Sequence, residues 1–397
     1  MKDLIRSFLP QRAINYFYHL PLAILANIFY GFPTRGLRVI GVTGTDGKTT
    51  TVNMIYQILK SAGKKVSMVS TINAVVGGKP IDTGFHVTSP DPFMIQKLAR
   101  SAVDNGDEFL VLEVTSHALD QFRFWGIKFE VGVITNITHE HLDYHKTFEK
   151  YSATKLQFLK DVKYAVLNKN LMTNVPRPED ICHGQIITFG KNTSLNLKIP
   201  GKYNAENAEA ALVVTNVLGI DQVVARRSVE NFNGLAGRME EVKNKKGIKI
   251  VIDFAHTPNG LKQVLQTLRS HLRGGKLISV IGCEGFRDVG KREMMGEIAQ
   301  KLSDIVIVTS VDPRGQLHSI NRQIATGAKK AGAKDGVNLF IIEDRQEAIN
   351  FAINNLAKKG DIVGLFGKGH EKSINLDGRK EISWSEEEAV EKALKHG

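Results

Sequence analysis

The sequence predicts an α/β protein: a P-loop-type ATPase central domain with a mainly parallel sheet, followed by a C-terminal Rossmann-like α/β domain. Three observations predict it. Short β-branched runs alternate with helical stretches over residues 37–170 and again over 248–366. Such alternation builds parallel sheets with helices on both faces. A glycine-rich turn, Gly41-Val42-Thr43-Gly44-Thr45-Asp46-Gly47-Lys48-Thr49-Thr50, joins the first strand of the first series to its first helix. The pattern breaks around residues 231–238, and a domain boundary is expected there. The expected organisation is an apolar helical extension over 1–36, a central ATP-binding domain over 37–233 and a C-terminal domain over 234–397, which suits a chain of 397 residues.

Taken in order, the N-terminal segment is apolar, with Tyr16, Phe17, Tyr18, Leu22, Leu25, Ile28 and Phe29, but His19, Pro21 and Asn27 interrupt it. No small-residue cleavage site follows, and the interruptions argue against a spanning helix. It reads as a helix packed on the next domain. The alternative is a membrane-surface or partner-binding helix, supported by Lys2, Arg6, Arg12 and the basic charge.

Residues 37–41 then read as a buried strand and 51–60 as a helix. A glycine turn between them offers backbone N–H groups and a helix N-terminus to an anion. Lys48 would reach the terminal phosphates, and Thr49 would hold Mg²⁺. The general P-loop pattern has glycine five residues before Gly47, where this chain has Val42, so the loop is a variant. Further strands are expected at 65–70, 108–114, 131–136 and 163–168, with a helix at 93–105. Residues 171–200 look less regular, and an alanine-rich helix follows over 201–218. The second series places strands at 248–253, 277–282, 304–309, 338–342 and 362–366.

Ligands of such sheets gather at the carboxyl ends of strands. Glu113 to His117 and Asn136 to Asp143 lie there, as does the loop. A strand-end carboxylate and a histidine near a phosphate loop can share Mg²⁺. His139, His141 and His145 alone would also suit zinc or a surface cluster. The net charge of +12 calls for anionic partners, whether small molecules, an anionic membrane or nucleic acid. No basic run with interleaved aromatics is present, so no nucleic-acid partner is expected. Cys182 and Cys283, the two cysteines, exclude a disulfide framework and a cysteine-rich zinc site, and a cytoplasmic location fits.

The variant loop T-G-T-D-G-K-T-T resembles the nucleotide loop of the Mur ligase family. Glu113-Val-Thr-Ser-His-Ala-Leu-Asp-Gln121-Phe-Arg123 is similar to the E-V-S-S-H-x-L-x-Q-x-R segment of its MurE-type members, which add the third peptide residue to a UDP-N-acetylmuramoyl-dipeptide. His141-Leu-Asp-Tyr-His145 and Tyr151-Ser-Ala-Thr-Lys155 resemble H-L-D-Y-H and Y-x-x-x-K. Gly237-Arg-Met-Glu240 is similar to G-R-M-E, Asp253-Phe-Ala-His256-Thr-Pro-Asn259 to D-Y-A-H-x-P, and Gly282-Cys-Glu-Gly-Phe-Arg287 to G-C-G-G-D-R. Gly367-Lys-Gly-His-Glu371 matches G-K-G-H-E.

This resemblance implies an ATP-dependent ligase that makes an amide bond through an acyl phosphate, with ATP and Mg²⁺ as cofactors, acting as a monomer. It implies catalytic roles for Lys48, Glu113, His141 and Lys155. ATP contacts are implied for Thr43, Gly44, Thr45, Asp46, Gly47, Lys48, Thr49, Thr50, Asn136, Arg238, His256 and Asn259. Metal ligation is implied for Thr49, Glu113, His141 and a carbamylated Lys155, and acceptor binding for Thr88, Ser89, Thr115, Gln121 and Arg123. The amino-acid pocket would use Arg287, Asp312, Pro313, Arg314, Gly367 and Glu371. Arg314 suits meso-diaminopimelate, whose second carboxylate pairs with a guanidinium; L-lysine is the other candidate. The family loop D-N-P-R reads Val311-Asp312-Pro313-Arg314 here, which brings Asp312 and its negative charge to that pocket. Only about forty residues precede the nucleotide loop, too few for the family's UDP-binding domain, so a non-UDP acceptor is a rival expectation. A folylpolyglutamate-synthetase-like enzyme and an inactive nucleotide-binding scaffold also compete with the ligase reading.

Overall fold

The computed structural model describes residues 10–81, 89–173, 176–190 and 194–395. The chain forms two compact units. Residues 1–137, 147–198 and 203–232 make the first, and 138–146, 199–202 and 233–397 the second.

In the first unit, residues 11–30 form one helix, α1, whose middle turn, Asn15–His19, widens to a π turn. Gly31, left-handed at φ 67°, ends it. There follow β1 (Arg38–Thr43), α2 (Lys48–Ser61), β2 (Val66–Val69), β3 (Ala74–Val76), β4 (Lys79–Ile81), α3 (Pro92–Asp104), β5 (Phe109–Glu113), β6 (Phe129–Ile134), α4 (Phe148–Gln157), β7 (Tyr164–Asn168), β8 (Gln185–Phe189), α5 (Lys202–Val217) and α6 (Gln222–Glu230). The strands make one sheet in the order β4-β3-β2-β5-β1-β6-β7-β8, parallel except where β3 pairs with β2 and β4. Strands β1 and β5 are almost wholly buried, as expected for runs covered on both faces. Helix α3 starts where Asp91 caps the Phe93 and Met94 N–H groups, with Pro92 next to the cap.

Three short elements depart from the sequence expectation. The β3–β4 hairpin turns on Gly77-Gly78, and its outer strand tolerates Pro80 because an edge strand has N–H positions without a ladder partner. Strand β8 lies inside the segment expected to be irregular and pairs with β7 over five positions. Three- to five-residue strands carry too few alternations to show in a periodicity.

The second unit contains β9 (Glu240–Val242), β10 (Lys249–Asp253), α7 (Pro258–His271), β11 (Leu277–Ile281), α8 (Gly290–Leu302), β12 (Ile305–Val308), α9 (Leu317–Lys330), β13 (Leu339–Ile341), α10 (Arg345–Asn350), β14 (Ile362–Phe366), β15 (Ser373–Asn375), β16 (Glu381–Ser383) and α11 (Glu386–Lys395). Its main sheet runs β13-β12-β11-β14-β10-β9, parallel but for β9. Ile250, Ile252, Ile278, Val280, Ile307 and Leu365 pack its core with the apolar sides of α10 and α11. Buried Arg345 ties these helices together. Its Nε donates to both Glu386 carboxylate oxygens at 3.1 and 3.0 Å, and its guanidinium also bonds the Ser310 and Phe366 carbonyls. The β15–β16 hairpin and α11 lie beyond the last strand that the sequence pattern signalled.

Candidate active site

The register of the first sheet gathers the nucleotide loop and two strand ends. Val42 of β1 lies opposite Glu113 of β5, and Thr43 opposite Ile134 of β6, so the residues following β1, β5 and β6 emerge side by side. The loop is held by hydrogen bonds rather than by apolar contact. Asn136 Oδ1 accepts from Asp46 N–H at 2.9 Å, its amide donates to Asp46 O at 3.2 Å, and Thr135 Oγ1 donates to Asp46 O at 2.6 Å. Gly47 sits at φ 83° at the start of α2, and a Cβ there would fall 2.3 Å from Asn207 Oδ1. Glycine is required at that point both for the left-handed turn and for the close approach of α5. Lys48 folds back onto its own loop, donating to Thr45 O at 2.8 Å.

Glu113 and Thr49 form an oxygen-rich corner beside the loop. Thr49 Oγ1 donates to Glu113 Oε1 at 3.1 Å, and Glu113 Oε2 accepts from Thr71 N–H at 2.9 Å. Lys155 of α4, fully buried, donates to Thr43 Oγ1 at 3.2 Å and Gly44 O at 2.8 Å. Burial, reinforced by the Lys48 charge and opposed by Asp46 and Glu113, holds the Lys155 amine well below the usual lysine range. Tyr151, one helical turn earlier, hydrogen-bonds Thr45 Oγ1 at 2.9 Å; its role as a loop clamp follows from the i, i+4 spacing to Lys155.

A second cluster adjoins Glu113. Ser89 Oγ donates to Glu113 O at 3.2 Å and shares a hydrogen bond with Thr115 Oγ1 at 3.1 Å. Arg123 donates to Ser89 O at 2.6 Å and holds Gln121 Oε1 at 2.7 Å. The structure thus brings Ser89, Thr115, Gln121 and Arg123 together, while Thr88 lies outside the described residues.

His141 belongs to the 138–146 segment, which is counted with the second unit. It takes a left-handed backbone at φ 58°, with Nδ1 4.0 Å from Glu140. His139 pairs with Asp288 at 3.3 Å. Among the described residues no three His, Cys, Asp or Glu side chains converge as a zinc site needs. Thr49 and Glu113 supply hard oxygens of the kind Mg²⁺ takes, which needs only one or two carboxylates besides water and phosphate.

In the second unit the motif residues follow the carboxyl ends of β10, β11, β12 and β14. Arg238 lies over the Phe254 ring at 4.6 Å, and the His256 and His370 rings pack on it at 4.6 and 5.2 Å. Burial and neighbouring Arg238 push His370 down to about 3, so it is neutral. Phe254, which sequence reading did not single out, is the platform that orders Arg238 and His256. Asn259 sits in the first turn of α7, which Thr257 caps.

The amino-acid residues meet around a charge network. Lys368, almost fully buried, bonds Asp312 at 3.2 Å and Glu371 at 2.6 Å. Asp312 also accepts from Asn375 N–H at 2.8 Å. The Asp312 charge that the sequence brings to this pocket is paired with Lys368, which Glu371 shares, and takes a hydrogen bond from a backbone N–H. Burial pushes Glu371 up to about 7 against the pull of Lys368. Gly367, at φ 101° and against Val311, lets the chain turn there. Glu284, not assigned from sequence, is half-buried and pairs with Arg287 at 3.5 Å. Burial alone would raise its pKa, but Lys291, His256, Arg287 and Arg314 hold it at about 2. Arg314, next to Pro313, adopts φ 49°.

Comparison with known proteins places this geometry. Residues 42–191 match the Mur ligase middle domain, and residues 237–369 match the Mur ligase glutamate ligase domain. The UDP-N-acetylmuramoyl-L-alanyl-D-glutamate--2,6-diaminopimelate ligase of Clostridium tetani (strain Massachusetts / E88) is 38% identical over 397 aligned residues, covering 91% of this chain and 80% of that one. The chain belongs to the Mur ligase family. This Mur ligase is an ATP-dependent ligase. A solved UDP-N-acetylmuramoyl-L-alanyl-D-glutamate--2,6-diaminopimelate ligase superposes with a TM-score of 0.58 at 28% identity, covering 91% of this chain and 78% of that one. A Mycobacterium tuberculosis folylpolyglutamate synthase solved with ADP and AMPPCP gives a TM-score of 0.69 over 88% of this chain and 92% of that one; at 17% identity it shares the fold alone. Both cysteines are buried and free. Among the described residues no helix is long and apolar enough to cross a membrane.

Proposed function

We propose that this Mur ligase joins the glutamate carboxylate of a UDP-N-acetylmuramoyl-L-alanyl-D-glutamate acceptor to an amino group of meso-diaminopimelate, with Mg-ATP, as a cytoplasmic monomer. The observation that carries it is the convergence of Lys48, Thr49, Glu113 and Lys155 around one anion-binding loop, next to the Ser89–Thr115–Arg123 cluster. An acceptor carboxylate oxygen bonds the γ-phosphorus as the bond to the β–γ bridging oxygen breaks, releasing ADP. The amino group then bonds the acyl carbon, loses a proton and expels phosphate. Lys48 swings from Thr45 O to the transferred phosphoryl group and offsets its charge. Thr49, Glu113 and carbamylated Lys155 would hold Mg²⁺, which would screen the phosphate oxygens. The low basicity of Lys155 favours the neutral amine that adds CO₂ with loss of one proton, giving a carbamate.

Arg314 reads the distal carboxylate of diaminopimelate in this proposal. Both Arg287 and Arg314 act on Glu284; Arg314 is assigned to that carboxylate because it stands at the arginine of the D-N-P-R-type loop. Amino-acid-dependent phosphate release with the acceptor, comparing meso-diaminopimelate with L-lysine, tests the assignment. Arg314→Ala is expected to raise KM for diaminopimelate about 10- to 100-fold, the worth of a charge-assisted bidentate pair, and to leave L-lysine use unchanged. Preference for L-lysine by the unaltered enzyme would reverse the assignment.

Glu371 supplies a pH dependence. With its proton lost near pH 7, it attracts a substrate ammonium above that pH and not below. KM for the amino acid is expected to fall as pH rises from 6 to 8 by up to about 10-fold per unit, and Glu371→Gln should flatten that profile. An unchanged profile in the variant would remove Glu371 from recognition.

A further inference from the structure

Helix α1 presents a large apolar face to solvent. Phe17 is 85% exposed and Phe29 74%, with Tyr16, Tyr18, Leu25 and Ile28 also open. Tyr18, Leu25, Ile28 and Phe29 recur at helical spacing and form one stripe, which Phe17 widens at its start. Patches of this kind mark interaction sites. The opposite side of α1 is fastened. Ala23, Ala26 and Asn27 are fully buried, Asn27 Nδ2 donates to Trp125 O at 2.8 Å, and Asn15 donates to Asp120 at 2.6 Å. The helix also packs on α3, where Phe29 meets the Phe93 ring at 6.2 Å.

We infer that this face docks α1, lying flat, on an anionic lipid surface. Charge selects that occupant. No Asp or Glu occurs from residue 4 to residue 45. Exposed Arg12 stands at one end of the stripe over Tyr16, and exposed Arg35 stands past the other end over Phe32. Trp125, hydrogen-bonded to the middle of α1 through its carbonyl, is followed three residues on by exposed Lys128. Aromatic side chains flanked by cations seek the headgroup level of a bilayer. A second copy of the chain would set the same arginines against each other. The polar hooks at Asn15 and Asn27 keep the helix on its own domain, so its outer residues enter the interface and the helix does not span it.

Flotation of the full chain with phosphatidylcholine vesicles, with and without phosphatidylglycerol, tests this. Binding is expected to be about 10-fold or more tighter with phosphatidylglycerol, as two or three surface cations provide, and to weaken with salt. The double variant Phe17→Ser/Phe29→Ser should lose that binding about 10-fold or more while ATP-dependent phosphate release stays unchanged, which shows that it folds. Equal partition to both vesicles, or binding unaffected by the double variant, would overturn the inference. So would absence of vesicle binding with a concentration-dependent dimer that the double variant abolishes, which assigns the face to a second copy. The vesicle-binding and dimer readouts do not depend on which acceptor or amino acid the enzyme uses.

Discussion

Lys48→Ala should lower acceptor-dependent phosphate release by about 10²- to 10³-fold, equivalent to roughly 3–4 kcal/mol of transition-state stabilisation. In the resting loop the side chain donates to Thr45 O. Gly47 and Asn136 shape that loop without it. The thermal midpoint should therefore hold while the chemistry fails. Phosphate release and a melting curve on the same preparation check both parts. Loss below about 10-fold would mean that Lys48 does not meet the transferred phosphoryl group, and the proposed roles of Thr49 and Glu113 would fall with it.

Glu386→Ala is the change with the largest expected effect on stability. It strands the Arg345 guanidinium, which is 1% exposed and bonded on two sides to main-chain carbonyls. It also removes the acceptor of the Trp384 indole N–H, held at 2.8 Å. Breaking one partner of a buried ion pair costs about 3–5 kcal/mol because the remaining charge has no solvent. Denaturant unfolding of the intact chain should show that loss. Glu293→Ala, which removes a solvent-screened partner of exposed Lys330, should leave the unfolding midpoint nearly unchanged. The double variant Arg345→Met/Glu386→Leu should recover much of the loss, since a buried pair is replaceable by apolar groups of similar volume. Equal costs for Glu386→Ala and Glu293→Ala would show that Arg345 reaches water.

The nucleotide loop was legible because its determinants are local. Gly47, Lys48 and Thr49 are consecutive, and a strand before and a helix after leave one geometry for the turn. Glu113 and Asn136 were legible as strand ends, and the parallel order placed them beside the loop before any distance was known. Tyr151 and Phe254 were not. Each stands inside a quoted motif, yet its task, clamping Thr45 or carrying Arg238 and His256, depends on a partner far along the chain or on a ring orientation. The β3–β4 hairpin was signalled by Gly77-Gly78 but its strands are too short to alternate visibly.

The charges divide in the same manner. Read along the chain, Asp312 brought a negative charge to the amino-acid pocket. Folded, it is the partner of Lys368, far along the chain, and of the Asn375 N–H. Glu284 drew no comment in the sequence, and only the fold shows it half-buried beside Arg287 and held low by Lys291, His256, Arg287 and Arg314. The sequence by itself determined the two parallel α/β units, the variant phosphate loop and the family, because these rest on periodicity and contiguous motifs. The tertiary structure alone decided which charges are cancelled, which aromatic carries the second-unit cluster and which face of α1 meets solvent. Those follow from burial and from pairing across long separations, which no local pattern encodes.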